Sequence, residues 1–191
     1  RSLLDQLPDN PWLIKHNPIE LELSLFKQLV WQTTALSGEV KSAGCDVLFT
    51  TDASTLCRFK PMTVLSQDML SYEPGVMRYF GYGLARLRLL AILAVQNLAF
   101  RRADGVIFLT HYAAKVIQQS CGTLHNVICI PHGVDEAFKQ SQVVSTSWPD
   151  TEERSVCCVY VSNAEMYKHQ WVVVKAISLL RKRGYNLTLS L

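Results

Sequence analysis

The sequence Val127-Ile-Cys-Ile-Pro-His-Gly-Val-Asp135, which closes the longer segment 101–135, decides how this chain is organised. Before it come an apolar strand pattern at Val106–Leu109, a break at Thr110-His111 and an amphipathic helix pattern over Tyr112–Gln119. A strand, a helix and a second strand within about thirty residues make one parallel βαβ unit. The segment therefore predicts an α/β fold with a parallel sheet.

We predict that the chain passes from one domain to a second directly after this unit. Its second strand, Val127–Ile130, stops at Pro131, which cannot donate a hydrogen bond to a sheet ladder. Gly133 is free to take a positive φ, so we expect the chain to turn there. A polar run without helical or strand period, Lys139–Arg154, follows, and a fresh strand comes next. We interpret His132-Gly133 as the crossing between two α/β domains.

Length and composition fit a soluble α/β protein. With 191 residues the chain is short for two complete domains, since domains commonly run to about 100–150 residues. It is 49% hydrophobic and 18% charged, and its net charge of +3 comes without a basic stripe interleaved with aromatic residues, so no nucleic-acid partner is expected. The six cysteines lack metal-ligand spacing. Free buried thiols in a reducing compartment are favoured over disulfides, and no metal site is expected.

The two ends suggest a piece of a longer protein. The chain starts at Arg1 without a methionine or a signal-peptide pattern. It stops within an alternating strand pattern, Asn186–Leu191, which would leave an open sheet edge.

The remaining elements follow from periodicity. Apolar residues at helical spacing predict a first helix over Pro18–Val40. Further strands are predicted at Cys45–Thr50, Met62–Leu65 and Val156–Val161.

A long helix over Leu84–Arg102 is apolar on nearly all sides. Arg86 and Arg88 interrupt it, so it falls short of the run of about 20 apolar residues that spans a bilayer. We expect a helix buried between the sheet and its neighbours. The alternative is a helix that rests on a membrane surface with its arginines at the headgroups.

Polar clusters follow four of the predicted strands directly. In a parallel sheet these clusters share one edge, where ligands bind and where the following helices point their N-termini. We therefore expect one common cleft to be lined by Thr51-Asp52, Ser66-Gln67-Asp68, Thr110-His111 and His132-Gly133.

Beyond the crossing the same pattern recurs. A loop, Ser162–Tyr167, follows the strand, and a helix is predicted to start near Lys168-His169. Lys168 would then lie at a helix N-terminus, where the helix dipole and the free N–H groups already favour an anion. This arrangement favours a phosphate-bearing ligand held between the two domains.

Simpler roles stay open for the same residues. Lys168 fits a solvated charge as well, and Gln67 with Asp68 could cap their own loop. His132 could be hydrogen-bonded within its turn, and His111 fits the first turn of a helix better than it fits a general base.

Three motifs in order add a family resemblance. They are Arg102-Ala-Asp-Gly-Val-Ile-Phe-Leu-Thr110, Ile130-Pro-His-Gly-Val-Asp135 and Val159-Tyr-Val-Ser-Asn-Ala-Glu-Met-Tyr-Lys-His169. Together they resemble the retaining glycosyltransferases of family 4, which have two Rossmann-like domains in the GT-B architecture. The resemblance implies that residues 1–135 are the later part of an acceptor-binding N-terminal domain, 136–154 a linker, and 155–191 the start of a donor-binding domain.

The resemblance also implies roles for single residues. Lys168 matches the lysine that contacts the donor diphosphate, and Ser162 stands where many members have an arginine. Gln67-Asp68 stands where members often have His-Asp or His-Glu near the transferred sugar, so these two are the catalytic candidates. Gly133 joins the donor-binding candidates.

On the acceptor side, the candidates are Glu73 and Asp52. The family's glycine-rich loop would precede Arg1, and its glutamate-rich donor motif would follow Leu191. We therefore expect the chain to be inactive by itself.

The implied activity is sugar transfer from a nucleotide sugar to a hydroxyl acceptor, with retention and without a metal or other cofactor. The implied partners are the nucleotide sugar, a glycan or lipid-linked acceptor and a membrane surface. By analogy, the setting is polysaccharide or lipopolysaccharide synthesis in the cytoplasm, peripheral to the inner face of the cell membrane. A nucleotide-sugar epimerase of the same architecture and a non-catalytic sugar- or partner-binding member remain as alternatives.

Overall fold

A computed structural model describes residue 4 and residues 6–136 and 155–191 of the chain. It divides into two compact units. The first contains the described residues up to Glu73 together with Tyr82–Pro131, and the second contains Pro74–Gly81 together with the described residues from His132 onward. The predicted polar run and, apart from Glu136, the predicted linker lie outside the described residues.

The first unit is built on a four-stranded sheet in which every strand pairs in parallel with its neighbour. The strands follow each other in chain order: β1 Leu48–Thr50, β2 Met62–Ser66, β3 Gly105–Phe108 and β4 Val127–Cys129. The predicted parallel α/β sheet is thus confirmed, and it is compatible with a Rossmann-like fold. Because all four strands run the same way, their carboxyl ends lie at one edge of the sheet.

The predicted single helix over Pro18–Val40 is wrong. A 3-10 turn at Ile19–Glu22 is followed by two short helices, α1 Leu25–Thr34 and α2 Leu36–Ser42. The hydroxyl groups of Thr33 and Thr34 donate to carbonyl oxygens one turn back, at Leu29 and Val30. Such bonds compete with the helix ladder and bend helices. The spacing of apolar residues alone does not show that these hydroxyl groups compete with backbone amides for the carbonyl oxygens.

The core of the first unit lies between the two central strands and two longer helices, α3 Leu84–Arg102 and α4 His111–Cys121. Helix α3 packs against β2 and α4, and α4 packs against β3. Phe108 is fully buried, and its ring centre lies 5.8 Å from that of Phe100. Ile117 is fully buried beside them. Buried and less buried positions alternate along β2 and β3, which lie within one residue of the predicted strands Met62–Leu65 and Val106–Leu109.

Helix α3 is buried on one face only, so the expectation of a helix enclosed by its neighbours is correct only in part. Gln96 and Phe100 are among its buried residues, whereas Leu84 and Leu87 are 85% and 63% exposed. Among the described residues, no helix is both long enough and apolar enough to cross a bilayer. The membrane-surface alternative stays a prediction.

The second unit contains one βαβ arrangement. Strand β5, Val156–Val159, pairs in parallel with β6, Leu187–Ser190, and the helix α5, Gln170–Lys182, connects them. Strand β5 is thus shorter than predicted. The adjacent residues Cys157 and Cys158 differ in exposure. All six cysteines are free, as predicted, but the expectation that they are buried is correct only for Cys57 and Cys121.

Asp104 ties the amino ends of β2 and β3 together. Its Oδ2 accepts a 2.9 Å hydrogen bond from the Met62 amide, and its own amide donates to the Met62 carbonyl at 2.8 Å. Lys60 donates to Oδ1 at 3.1 Å, and the Asn126 side chain donates to the Asp104 carbonyl at 2.9 Å. The Met62 amide, and after it Lys60, lowers the pKa of the Asp104 carboxyl below its ordinary value.

We expect the stability of the Asp104→Asn variant to fall less than that of the wild type as the pH is lowered. A carboxyl whose pKa is lowered by folding stabilises the fold above its unfolded pKa, and that contribution is lost as the pH falls through the folded value. Urea midpoints measured between about pH 2 and 6 should therefore fall less in the variant than in the wild type.

The matched control is Asp46→Asn. Asp46 is an exposed carboxylate just before β1 that makes no hydrogen bond to a described residue. This control should keep the wild-type profile. If the urea midpoint falls equally with pH in Asp104→Asn and in the wild type, the Asp104 carboxylate does not stabilise the fold as assigned here.

Candidate functional site

A cavity of about 300 Å³ opens at the carboxyl ends of β1 and β2. Its walls come from the loops that follow these strands and from one residue of α3. The lining residues are Thr51, Asp52, Ala53, Gln67, Asp68 and Gln96. The structure thus brings together four residues predicted from sequence, Thr51, Asp52, Gln67 and Asp68, because the parallel strands place their following loops side by side.

Short hydrogen bonds hold both carboxylates of this cavity in place. The Ser54 amide donates to Asp52 Oδ1 at 2.8 Å, and the Leu70 amide donates to Asp68 Oδ1 at 2.9 Å. Asp68 therefore does stabilise its own loop, which was the simpler role open for it. In each carboxylate the second oxygen makes no hydrogen bond to a described residue. The side chain of Gln67 is exposed and likewise makes no such bond.

Gln96, the helix residue of this cavity, was missed by the sequence analysis. It is only 4% exposed, and its Oε1 atom has no hydrogen-bond partner among the described residues. The neighbouring Asn97 is satisfied, since it accepts from the Tyr72 hydroxyl at 2.9 Å and donates to Ser120 at 3.0 Å. The available signal was the pair of amide side chains, Gln96 and Asn97, within the apolar stretch 89–100 of α3.

Glu73, predicted on the acceptor side, does not line this cavity. Its carboxylate accepts from the hydroxyl of Tyr112, near the start of α4, at 3.0 and 3.2 Å. This hydrogen bond raises the pKa of Tyr112 above its ordinary value. Glu73 therefore connects the loop after β2 to the helix after β3, and its predicted acceptor role stays a prediction.

The two remaining polar clusters do not line the cavity either. Thr110 caps α4, because its Oγ1 accepts from the Ala113 amide at 3.0 Å, and His111 is the exposed first residue of that helix. His132 and Gly133 belong to the second unit.

The turn expected at Gly133 is wrong, because residues 131–135 form neither a turn nor a bend. Gly133 also does not use the positive φ that is open to it, whereas other glycines do. A Cβ atom added at Gly133 would meet no atom within 4 Å, so the backbone here does not require a glycine.

Lys168 lies just before the N-terminus of α5. It ends the 3-10 turn Met166–Lys168, and His169 then adopts a left-handed conformation with φ 56° before α5 begins at Gln170. The helix therefore starts one to two residues later than predicted. Lys168 is exposed, and its Nζ lies 5.0 Å from the centre of the Tyr167 ring.

The loop after β5 is tied to this helix start. Tyr160 donates from its hydroxyl to the Lys168 carbonyl at 2.7 Å, and Gln170 donates from its side chain to the Asn163 carbonyl at 2.5 Å. Ser162 donates to that same Asn163 carbonyl at 3.2 Å. No side chain caps the N-terminus of α5. Free helix amides beside an exposed ammonium group form an arrangement that suits an anion.

Within the described ranges, no group of three or more histidine, cysteine, aspartate or glutamate side chains could hold a metal ion. Comparison of the chain with protein-family models, with curated proteins and with solved structures gave no match.

Proposed function

We propose that the full-length protein is a retaining glycosyltransferase of the GT-B type, which moves a sugar from a nucleotide sugar to a hydroxyl acceptor. The observation that carries this proposal is the position of Lys168 just before the uncapped N-terminus of α5, at the end of the loop that follows the parallel strand β5. This is where an α/β unit binds phosphate. The motif resemblance supplies the reaction class.

In this proposal the second unit binds the donor diphosphate. The Lys168 ammonium group and the first amides of α5 stabilise the negative charge that develops on the departing nucleoside diphosphate. These fixed positive charges take the role that a divalent ion has in other transferases, so the reaction needs no metal. Ser162, in place of an arginine, contributes a hydroxyl group and no charge.

The first unit binds the sugars in this proposal. The free oxygens of Asp52 and Asp68 accept hydrogen bonds from sugar hydroxyls, and the Gln67 amide donates one. We propose a glycan or lipid-linked acceptor and a reaction at the inner face of the cell membrane. The exposed leucines of α3, which alternate with Arg86 and Arg88, support the membrane location.

Calorimetric titration of the full-length protein with UDP and GDP tests the donor assignment. We expect one of the two to bind in the presence of EDTA. The matching monophosphate should bind about tenfold or more weakly, because it lacks the second charged group. Absence of binding to both diphosphates, or binding that requires a divalent metal, would contradict the proposal.

Two observations support a non-catalytic sugar-binding protein as the second candidate. Ser162 stands where many family members have a positively charged arginine. Gln67 stands where they often have a histidine. This candidate predicts that the nucleotide sugar binds without turnover. An epimerase, by contrast, would convert the nucleotide sugar without any acceptor, so product analysis separates the three activities.

A further inference from the structure

A second cavity, called here the basic cavity, lies at the opposite edge of the four-stranded sheet, at the amino ends of β2 and β3. Its volume of about 340 Å³ is within the range of ligand pockets, which hold about 300–1,000 Å³. Its walls come from the segment that leads into β2 and from the end of α3. The lining residues are Cys57, Arg58, Phe59, Lys60, Met62 and Arg102.

Half of the residues that line the basic cavity are cationic, and none is acidic. Arg58, Lys60 and Arg102 contribute three positive charges. The nearby Asp104 neutralises one of them, because its Oδ1 accepts from Lys60 at 3.1 Å. Neither guanidinium group makes a hydrogen bond or an ion pair with a described residue. Two positive charges without a partner in the described part of the chain therefore line one cavity.

Stabilisation of a helix end explains these arginines only in part. Arg101 and Arg102 lie in the last turn of α3, where a positive charge interacts favourably with the helix dipole. Arg101 also donates from Nε to the Cys121 carbonyl at 2.7 Å and so ties α3 to α4. Arg102 makes no such bond, and Arg58 lies in no helix. The helix dipole therefore does not account for a second arginine at the same cavity.

The charges of the basic cavity favour an anion, and their number favours a phosphate group. A guanidinium group presents its N–H donors as a planar fork that matches the oxygens of a carboxylate or a phosphate. A phosphate monoester carries about 1.5 to 2 negative charges at pH 7 and three acceptor oxygens, so it can neutralise both arginines, whereas a carboxylate carries one charge. The buried residues Phe59 and Met62 make the inner wall apolar. This wall suits a small organic group joined to the phosphate.

We infer that the basic cavity binds a phosphate monoester, with its phosphate group between Arg58 and Arg102 and its organic part against the apolar wall. The cavity lies at the other edge of the sheet from Asp52 and Asp68, and Lys168 belongs to the second unit. The inference therefore goes beyond the proposed transferase function and does not depend on it. A soluble phosphate ester and the lipid phosphatidic acid share this chemistry.

The first test is ligand-observed NMR of the full-length protein with phenyl phosphate. The parent protein for this test carries Lys168→Ala, so that the proposed donor site contributes little to phosphate binding. Benzoate is the matched ligand, because it has the same ring with a carboxylate in place of the phosphate. We expect phenyl phosphate to bind more tightly than benzoate. Benzoate that binds as tightly as phenyl phosphate, or more tightly, would overturn the inference.

Adding Arg58→Gln and Arg102→Gln to this parent tests the two contacts. Phenyl phosphate should bind about tenfold or more weakly, because two charge-assisted hydrogen-bonding groups are lost. The melting temperature should stay that of the parent, since neither guanidinium group bonds to a described residue. If this variant does not fold, Arg58→Gln alone, at an exposed position outside any helix, should still weaken binding several-fold. The matched control is Arg183→Gln, an exposed arginine directly after α5, which should bind like the parent.

Vesicles distinguish the two sources of the phosphate group. They contain phosphatidylcholine with or without phosphatidic acid, whose headgroup is a phosphate monoester, and bound protein is measured by sedimentation. A lipid ligand predicts binding that requires phosphatidic acid and is lost with both arginines. A soluble ligand predicts binding of phenyl phosphate alone. If neither phosphate binds, or if binding does not depend on the two arginines, the inference is wrong.

Nucleotide titrations separate this inference from the proposed transferase. With Lys168 intact, the variant that lacks both arginines should bind the preferred nucleoside diphosphate like the wild type. Phosphate binding at Arg58 and Arg102 without nucleotide binding refutes the transferase alone. Nucleotide binding without phosphate binding at the two arginines refutes the basic cavity alone.

Discussion

Replacing Phe108 with alanine should lower the free energy of unfolding by about 3–5 kcal/mol, the usual cost of truncating a buried phenylalanine. Its side chain is fully buried at the carboxyl end of β3 and packs against Phe100 and the other core residues. The cavity left behind cannot close easily, because β2 and β4 hold the strand on both sides. Urea unfolding followed by circular dichroism measures the loss.

Phe49→Ala is the matched control for this loss. Phe49 lies in β1 of the same sheet, but its side chain is 51% exposed. Its truncation should cost about 1 kcal/mol or less, as for other surface positions. Equal losses in the two variants would mean that the core is not centred on β2 and β3.

Replacing Lys168 with alanine should weaken binding of the preferred nucleoside diphosphate by about 1–3 kcal/mol, that is, roughly five- to 150-fold. The ammonium group is the charged partner that the proposal assigns to the diphosphate, and the helix amides alone should retain only part of the affinity. The stability of the fold should not change, because the side chain is exposed. Calorimetric titration and urea unfolding measure the two quantities.

Lys175→Ala controls for the loss of one positive charge. Lys175 is exposed on the same helix but lies beyond its first turn. The Lys175→Ala variant should bind the diphosphate nearly as well as the wild type, since an exposed charge beyond the first turn of the helix is largely screened from a ligand at the N-terminus. Equal losses in both variants would indicate a general charge effect, and no loss in Lys168→Ala would remove this lysine from the site.

The sequence predicted the elements that show as an apolar run or as a helical spacing of apolar residues. Strands β2 and β3 are short, largely apolar runs, and both were located to within one residue. The helical pattern likewise located α3 and α4. It failed for the first helix, because hydrogen bonds from Thr33 and Thr34 to the backbone are local events without a period.

The sequence predicted only part of the candidate site, because it does not show which helix residue packs beside the ends of the strands. Asp52, Gln67 and Asp68 follow strands directly, so a parallel sheet alone brings them to one edge. Gln96 reaches the same cavity from a helix about thirty residues further along the chain, and only the packing of α3 on β2 brings it there. Glu73, which was predicted separately on the acceptor side, does not line the cavity, and its carboxylate accepts a hydrogen bond from the Tyr112 hydroxyl.

The most direct test of the central claim is the NMR analysis of the reaction product. The full-length protein is incubated with a nucleotide sugar that carries the nucleoside diphosphate it binds, and with a glycan acceptor. We predict a new glycosidic bond with the same anomeric configuration as the donor, formed in the presence of EDTA. An inverted linkage, an epimerised donor formed without acceptor, or binding without any turnover would contradict a retaining glycosyltransferase.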